Sequence, residues 1–360
     1  MDEKLKITYQ DLSDPKVDEV LARFNEEMAF RKGSGGASDE LKKASLLHKS
    51  WFNLMIAGLI GAFIAWALIE PHVVESDGGS NSFLVLMLLT VGGFAGLMIG
   101  SMEGILARNI SRALKAGIVG LLIGFAGGFI SLIVAGMVHM IVTPLGVSII
   151  GPEAAYDPVH HFSGFMLAVI TRCLLWTVIG MTVGLGPGIG LRSKKLVLNG
   201  FLGGMIGGAI GGLLFDPINF VVSGGTFDNG VAVSRAIGFC VVGASTGLMI
   251  GLVETLTKES WFLMTAGFLK GKQFIVYKNP TIIGSSPKCE IYLFKDTAIE
   301  PFHAAIHTLR DGYEIEDLNT PSGTWMNGRK VKRQRLANGD KIQIGNTIFT
   351  YSEKEKKTKG

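Results

Sequence analysis

The sequence predicts an α-helical polytopic membrane domain of six spans, arranged as three hairpin repeats, followed by a small all-β sandwich. Three observations carry this reading. Hydrophobic residues make up 48% of the 360 positions and charged residues only 18%, and the apolar ones gather between Trp51 and Leu256 in runs near the roughly 20 residues that cross a bilayer. Glycine, 49 residues in all, recurs in this region at four-residue steps. From Gly271 the apolar period changes to two, in short runs separated by Gly, Pro, Asn and Asp.

Residues 1–49 read as a soluble, cytoplasmic N-terminal arm. After a Ser13-Asp14-Pro15 start signal, Val17, Val20, Leu21, Phe24 and Met28 fall on one helical face, and a Gly-Ser-Gly-Gly-Ala-Ser break at 33–38 ends it. That face either packs on the protein's own cytoplasmic surface or docks a partner. The arm is charged and has no apolar core with a small-residue cleavage site, so Trp51 onward is expected to act as an uncleaved anchor. The formal charge of +4 is small, and the basic residues are read as short juxtamembrane clusters, which sets nucleic acid aside as a partner. Cys173, Cys240 and Cys289 are too few and too scattered for a disulfide framework or metal cage and read as packing residues.

Residues 50–257 form the Gly-rich membrane domain, with spans expected near 51–70, 83–102, 116–137, 170–188, 198–215 and 236–256. Arg108, Arg112 and Lys115 follow the second span and Arg192, Lys194 and Lys195 the fourth, whereas 71–82 and 138–162 hold no Lys or Arg. Cationic loops stay on the cytoplasmic side, so both termini are expected inside, in a cell (inner) membrane.

An internal repeat supports the count. Gly96-Leu-Met-Ile-Gly100 followed by Glu103 recurs as Gly247-Leu-Met-Ile-Gly251 followed by Glu254, and placing Glu70-Pro71 on Asp216-Pro217 superposes Gly58 and Gly61 on Gly204 and Gly207. Gly180 and Gly184 carry the same step in the fourth span, a glycine-zipper pattern that lets helix backbones approach closely within lipid. Repeated hairpins with interruptions such as Gly186-Pro187-Gly188 also occur in transporters, so a small transporter or channel with a regulatory C-terminal domain is the alternative reading. Against it, Glu70, Glu103, Asp216 and Glu254 all fall at expected span ends, where water or headgroups solvate them. Arg172 and Arg235 stand eight residues before Gly180 and Gly243. Buried, they would be ligands of ions or headgroups; each precedes about twenty apolar residues, however, so each is expected at the outer interface, reaching lipid phosphate. His160 and His161 with Asp157 and Glu153 lack the spacing of a metal site, and no metal or other cofactor is expected.

Residues 258–270, with Trp261, Phe262, Leu263, Phe268 and Leu269, read as a juxtamembrane connector that holds the next domain close to the bilayer. Strands are expected at 274–277, 282–283, 290–294, 304–306, 313–315 and 341–344, with tight turns at Asn327-Gly328 and Asn338-Gly339-Asp340. The basic tail 355–360 follows.

Within 271–354, Ile283-Gly284, Ile299 to Ala304 with His303, Asp317-Leu318, Gly323-Thr324, Asn327-Gly328, Gly339-Asp340 and Ile344-Gly345 stand in the order and spacing of the forkhead-associated (FHA) family, which this segment resembles over about 265–354. The resemblance implies a β-sandwich whose loops at one end bind phosphothreonine peptides, with Gly284, His303, Gly323 and Asn327 as structural positions. It also locates the departures. Ser285 stands where the family has a phosphate-binding arginine, Glu300 where it has a phosphate-donating serine, and Ser322 where it commonly has a peptide-holding asparagine. Losing a fixed cation removes charge-assisted bonds of about 1.5–3 kcal/mol each, and Glu300 repels a phosphate of about −1.5 to −2 charges. Lys288, a mobile point charge, does not restore a planar two-bond contact.

The loop face with Ser285, Ser286, Lys288, Glu300, Thr320 and Ser322 is therefore expected to bind an unphosphorylated segment, from an unknown cytoplasmic protein or from the N-terminal arm. Otherwise the sandwich is an inert cap, packed on the membrane domain or paired with a second copy. No nucleophile with its base and no carboxylate pair in a cleft is evident, so the chain reads as a signalling scaffold rather than an enzyme, with membrane lipid its other partner.

Overall fold

The fold is that of a computed structural model, which describes residues 49–72, 82–156, 160–223 and 232–354. The N-terminal arm with its expected apolar face, and the tail from 355, lie outside the described residues. One compact unit ends at Lys258 and another begins at Glu259.

Six helices of the first unit are long and apolar enough to cross a membrane. They are α1 (Ser50–Ile69), α2 (Ser82–Leu106), α3 (Ile110–Ile150), α5 (Phe162–Gly190), α6 (Lys194–Val222) and α7 (Ala232–Thr257), with the short α4 (Pro152–Tyr156) between α3 and α5. The bounds depart most from expectation at the third and fourth helices. α3 starts early because the Asn109 side chain accepts from the Arg112 backbone N–H and caps it. No charged residue interrupts 116–150, so the helix runs for 41 residues, about 60 Å. Gly151, at φ 86°, and Pro152 then end it. Most of the expected external loop 138–162 is thus helical. α5 continues through Pro187 to Gly190, so the Gly-Pro-Gly sequence does not break it.

Each of these six helices packs on the next, α7 returns to α1, and α2, α5 and α7 also touch one another. Buried side chains of these three, among them Met87, Val91 and Ile99 of α2, Trp176 and Val183 of α5 and Phe239 of α7, share one apolar core. Large side chains are exposed along the other three, including Phe63 and Leu68 on α1, Leu122 and Phe129 on α3, and Leu198 and Leu213 on α6. The bundle is thus apolar both within and without, the pattern of helices long and apolar enough to cross a membrane.

Three seams share one construction. Gly92, Gly96 and Gly100 of α2 lie on the backbone of Gly124, Gly120 and Ala116 of α3. Gly180 and Gly184 of α5 lie on Gly204 and Gly200 of α6, and Gly243, Gly247 and Gly251 of α7 lie on Gly58, Leu54 and Trp51 of α1. A methyl group at any of these α2, α5 or α7 glycines would run into the neighbouring backbone, so the close approach requires its absence.

The second unit is a β-sandwich of eleven strands: β1 (Ser260–Ala266), β2 (Gln273–Ile275), β3 (Thr281–Gly284), β4 (Ile291–Tyr292), β5 (Ala304–Leu309), β6 (Gly312–Asp317), β7 (Thr324–Met326), β8 (Arg329–Val331), β9 (Arg333–Arg335), β10 (Lys341–Ile344) and β11 (Thr347–Glu353). One sheet has the order β2-β1-β11-β10-β7-β8 and the other β4-β3-β5-β6-β9. Ile283, Ile306 and Ile315 of the second sheet and Phe262, Ile342, Phe349 and Tyr351 of the first meet in the core, all fully buried. Residues 258–270 are not a connector. Their apolar character comes from β1, which pairs with β11 (Phe262 opposite Tyr351) and β2 and turns Phe262 and Met264 into the core.

Candidate functional site

Three loops of the sandwich meet at one end. The Ser285 backbone N–H donates to the Glu300 carbonyl at 3.0 Å and that of Ser286 to the Pro301 carbonyl at 3.1 Å, which joins the β3–β4 loop to the β4–β5 loop. Ser322 Oγ donates to the Ala298 carbonyl at 2.8 Å, which joins the β6–β7 loop to both. Gly284 is needed here because a side chain would collide with the Pro301 carbonyl.

Beneath the loops, His303 is fully buried. Its Nδ1 accepts from the Glu300 backbone N–H at 3.2 Å, so the ring proton sits on Nε2, which faces Thr320 Oγ1 at 3.1 Å and the Gly323 carbonyl at 3.3 Å. Thr320 Oγ1 in turn donates to Asp317 Oδ1 at 2.8 Å, and Asp317 also accepts from Thr324 Oγ1 at 2.9 Å and the Thr320 backbone N–H at 3.0 Å. Burial works to raise the Asp317 carboxyl, but hydrogen bonds from Thr320 and Thr324 outweigh it and hold the group below its ordinary value. Asn327, at φ 50°, donates to Asp340 Oδ1 at 2.8 Å and accepts from the Lys341 backbone N–H at 2.9 Å, tying the β7–β8 turn to β10.

The face thus assembles Ser285, Ser286, Lys288, Glu300 and Ser322, of which Lys288, Glu300 and Ser322 are exposed. Thr320 does not belong to it. Its hydroxyl is buried in the Asp317–His303 network, where a side chain two residues before Ser322 must turn inward to pin the loop. Two features escaped the sequence reading. Lys330 lies across Gly323, with Nζ 3.5 Å from the Pro321 carbonyl, because β7 pairs with β8 and sets Trp325 opposite Lys330. Cys289 is buried with Sγ 3.1 Å from the Pro301 carbonyl, and burial pushes its thiol up to about 11, helped by the Glu290 charge and opposed by the Ser286 backbone hydrogen bond.

In the helical unit, Arg172 and Arg235 do not reach outward as single interfacial cations. Arg172 Nη1 donates to Asp216 Oδ1, with its guanidinium 5.2 Å from the Phe215 ring. Arg235 donates through Nη2 to Glu70 Oε1 and through Nε to Glu70 Oε2, the latter at 3.2 Å. Asp216 is 1% exposed, so it is enclosed by protein rather than solvated at a span end. The pairs form because each arginine and carboxylate stand at repeat-equivalent places across a glycine seam. Among the described residues no three potential ligands gather into a metal site. His160, His161 and Glu153 are described and Asp157 lies outside the described residues.

The FHA-domain family model matches residues 281–345. The chain is 32% identical over 106 residues to an oxoglutarate dehydrogenase inhibitor of Corynebacterium jeikeium, spanning 29% of this chain and 73% of that protein. It is 30% identical over 103 residues to the glycogen accumulation regulator GarA of Mycobacterium tuberculosis, spanning 28% of this chain and 63% of that one. Among solved structures, an FHA domain from Chlamydia trachomatis aligns at 26% identity over 27% of this chain and 99% of its own, with a TM-score of 0.25. Through its C-terminal sandwich, the chain belongs to the FHA-domain family.

Proposed function

We propose that the chain is a multi-pass inner-membrane scaffold presenting its FHA domain to the cytoplasm, and that this domain recognises an unphosphorylated protein segment. One observation carries the phosphate-independent part, the polar chemistry of the loop face. Neither 281–304 nor 318–324 contains an arginine, the Ser322 hydroxyl is engaged by the Ala298 carbonyl, and Glu300 is exposed among the loops. A phosphate there meets a like charge and lacks the fixed fork that holds it elsewhere. The six long apolar helices support the membrane setting. The relatives' names, an inhibitor and a regulator, support regulation by binding rather than catalysis. The apolar core shared by α2, α5 and α7 weighs against the transporter reading.

The test is titration of the full chain in lipid nanodiscs with matched threonine and phosphothreonine peptide libraries. The expected result is binding of selected unphosphorylated peptides, with phosphorylation leaving affinity unchanged or lowering it. A phosphothreonine preference above tenfold, abolished by Lys288→Ala or Lys330→Ala, would overturn it.

A further inference from the structure

The segment Arg329-Lys330-Val331-Lys332-Arg333-Gln334-Arg335 holds five cations in seven residues. β8 is the end strand of the six-stranded sheet and β9 the end strand of the other, with only Lys332 between them. The chain therefore crosses from one sheet rim to the other across the roughly 10 Å that separates packed sheets, and its cations flank that edge of the sandwich, Lys330 beside Trp325 on one sheet and Arg333 and Arg335 beside Glu316 and Glu314 on the other. All five are exposed. Arg333 Nε meets the Glu314 carboxylate at 3.0 Å, whereas Arg335 and Lys330 reach only the carbonyls of Asp311 and Pro321. Nearby carboxylates are engaged elsewhere, Asp317 by the threonines, Asp340 by Asn327 and Ala337, and Glu316 by His307. Cations on edge strands deter sheet-to-sheet pairing. That role accounts for charge within β8 and β9 but not for its continuation through the crossover at Lys332.

We propose that this basic edge of the sandwich docks on anionic lipid headgroups. The proposal rests on the reading of the chain as a membrane protein with this domain on the cytoplasmic side. An exposed edge of long cationic side chains meets a fluid layer of phosphates without a shaped groove, since such a layer needs charge and no fixed geometry, and each such cation near the cytoplasmic leaflet adds about a factor of five to binding. The chain leaves its last candidate span only two residues before β1, so lipid accompanies this domain wherever the chain is inserted.

The test is amine acylation of the full chain in nanodiscs, read by mass spectrometry at Lys330 and Lys332, with Lys288 as reference. Expected is a slowing of about fivefold or more at Lys330 and Lys332 when neutral lipid is replaced by a mixture rich in phosphatidylglycerol. The slowing disappears in molar salt, which needs no altered protein, and in an R329E/R335E variant. Equal rates in both lipids overturn the proposal and leave the charges as edge protection. Slowing in neutral lipid that is relieved by deleting residues 1–40 also overturns it, in favour of the arm as occupant. Extraction of the chain from native membranes by alkaline carbonate is the separate outcome that removes the membrane reading itself.

Discussion

Replacing Asp317 with asparagine is the sharpest perturbation of the loop face that leaves shape intact. The carboxylate accepts three hydrogen bonds, from Thr320 Oγ1, Thr324 Oγ1 and the Thr320 backbone N–H. An amide offers one oxygen, so at least one donor in a 7% exposed site loses its acceptor and the others lose their charge. Hydrogen bonds to charged groups contribute about 1.5–3 kcal/mol, and one orphaned buried donor costs about 1–3, so we expect Asp317→Asn to cost about 2–3 kcal/mol. Hydrogen exchange of backbone amides in 303–326 then speeds up about 30- to 150-fold at pH 7. The pH dependence supplies the sign. Because the folded-state carboxyl is held below its ordinary value, its contribution is complete above the unfolded value and is lost as pH falls through the lower folded one. The gap between wild type and Asp317→Asn should therefore stay constant from neutrality to about pH 4 and close only below it. A gap that closes between pH 7 and 5, or that never exceeds 0.5 kcal/mol, would refute the network as described.

The seams and pairs of the helical unit make further expectations, read by thermal unfolding of the full chain in detergent. Gly247→Val drives a side chain into the Leu54 carbonyl and should destabilise by about 2 kcal/mol or more, whereas Gly136→Ala, with nothing within 4 Å of the added carbon, should be neutral or slightly stabilising. Arg235→Glu alone should cost about 3 kcal/mol by leaving two like charges in a part-buried site, and adding Glu70→Arg should recover most of that loss. Cys289, its thiol raised to about 11 from 9.0, should alkylate with iodoacetamide at pH 8 about a hundredfold more slowly than in guanidinium, since the thiolate is the nucleophile.

The architecture was legible because its signals are local. Twenty-residue apolar runs and the four-residue glycine step identify helices by composition alone, and Asn327-Gly328 or Gly323-Thr324 mark turns whose positive φ only a few residues tolerate. The misses lie where a residue's environment depends on distant chain. Trp261, Phe262 and Leu263 look the same whether they line a membrane interface or alternate in a strand, and only the pairing with β11 decides. Thr320 and Ser322 are two small hydroxyl residues in one loop, yet one serves Asp317 and the other faces solvent. β8 and β9 were hidden because three-residue edge strands rich in Arg and Lys carry no alternating apolar pattern. The ion pairs were half visible, since the arginines and carboxylates were each recognised as repeat-equivalent, but pairing them requires knowing that α7 returns to α1.

That closure also shows what the charges are for. Gly92, Gly180 and Gly243 occupy matching places in three seams, against Gly124, Gly204 and Gly58. Eight residues before the first set stand Leu84, Arg172 and Arg235, and twelve residues after the second stand Gly136, Asp216 and Glu70. Two seams thus carry an ion pair at these places, where the α2–α3 seam has Leu84 and Gly136. An ion pair at this place is therefore no condition of glycine-seam packing. A buried pair is weak evidence for net stability, since desolvating its two charges offsets their attraction, while a mismatched charge is strongly penalised. Among three seams that glycine makes nearly interchangeable, a carboxylate on α1 and on α6 and an arginine on α5 and on α7 penalise any exchange that would leave one of them against α2 or α3. The glycines set how closely the helices approach, and the charges keep α2 and α3 out of the other two seams.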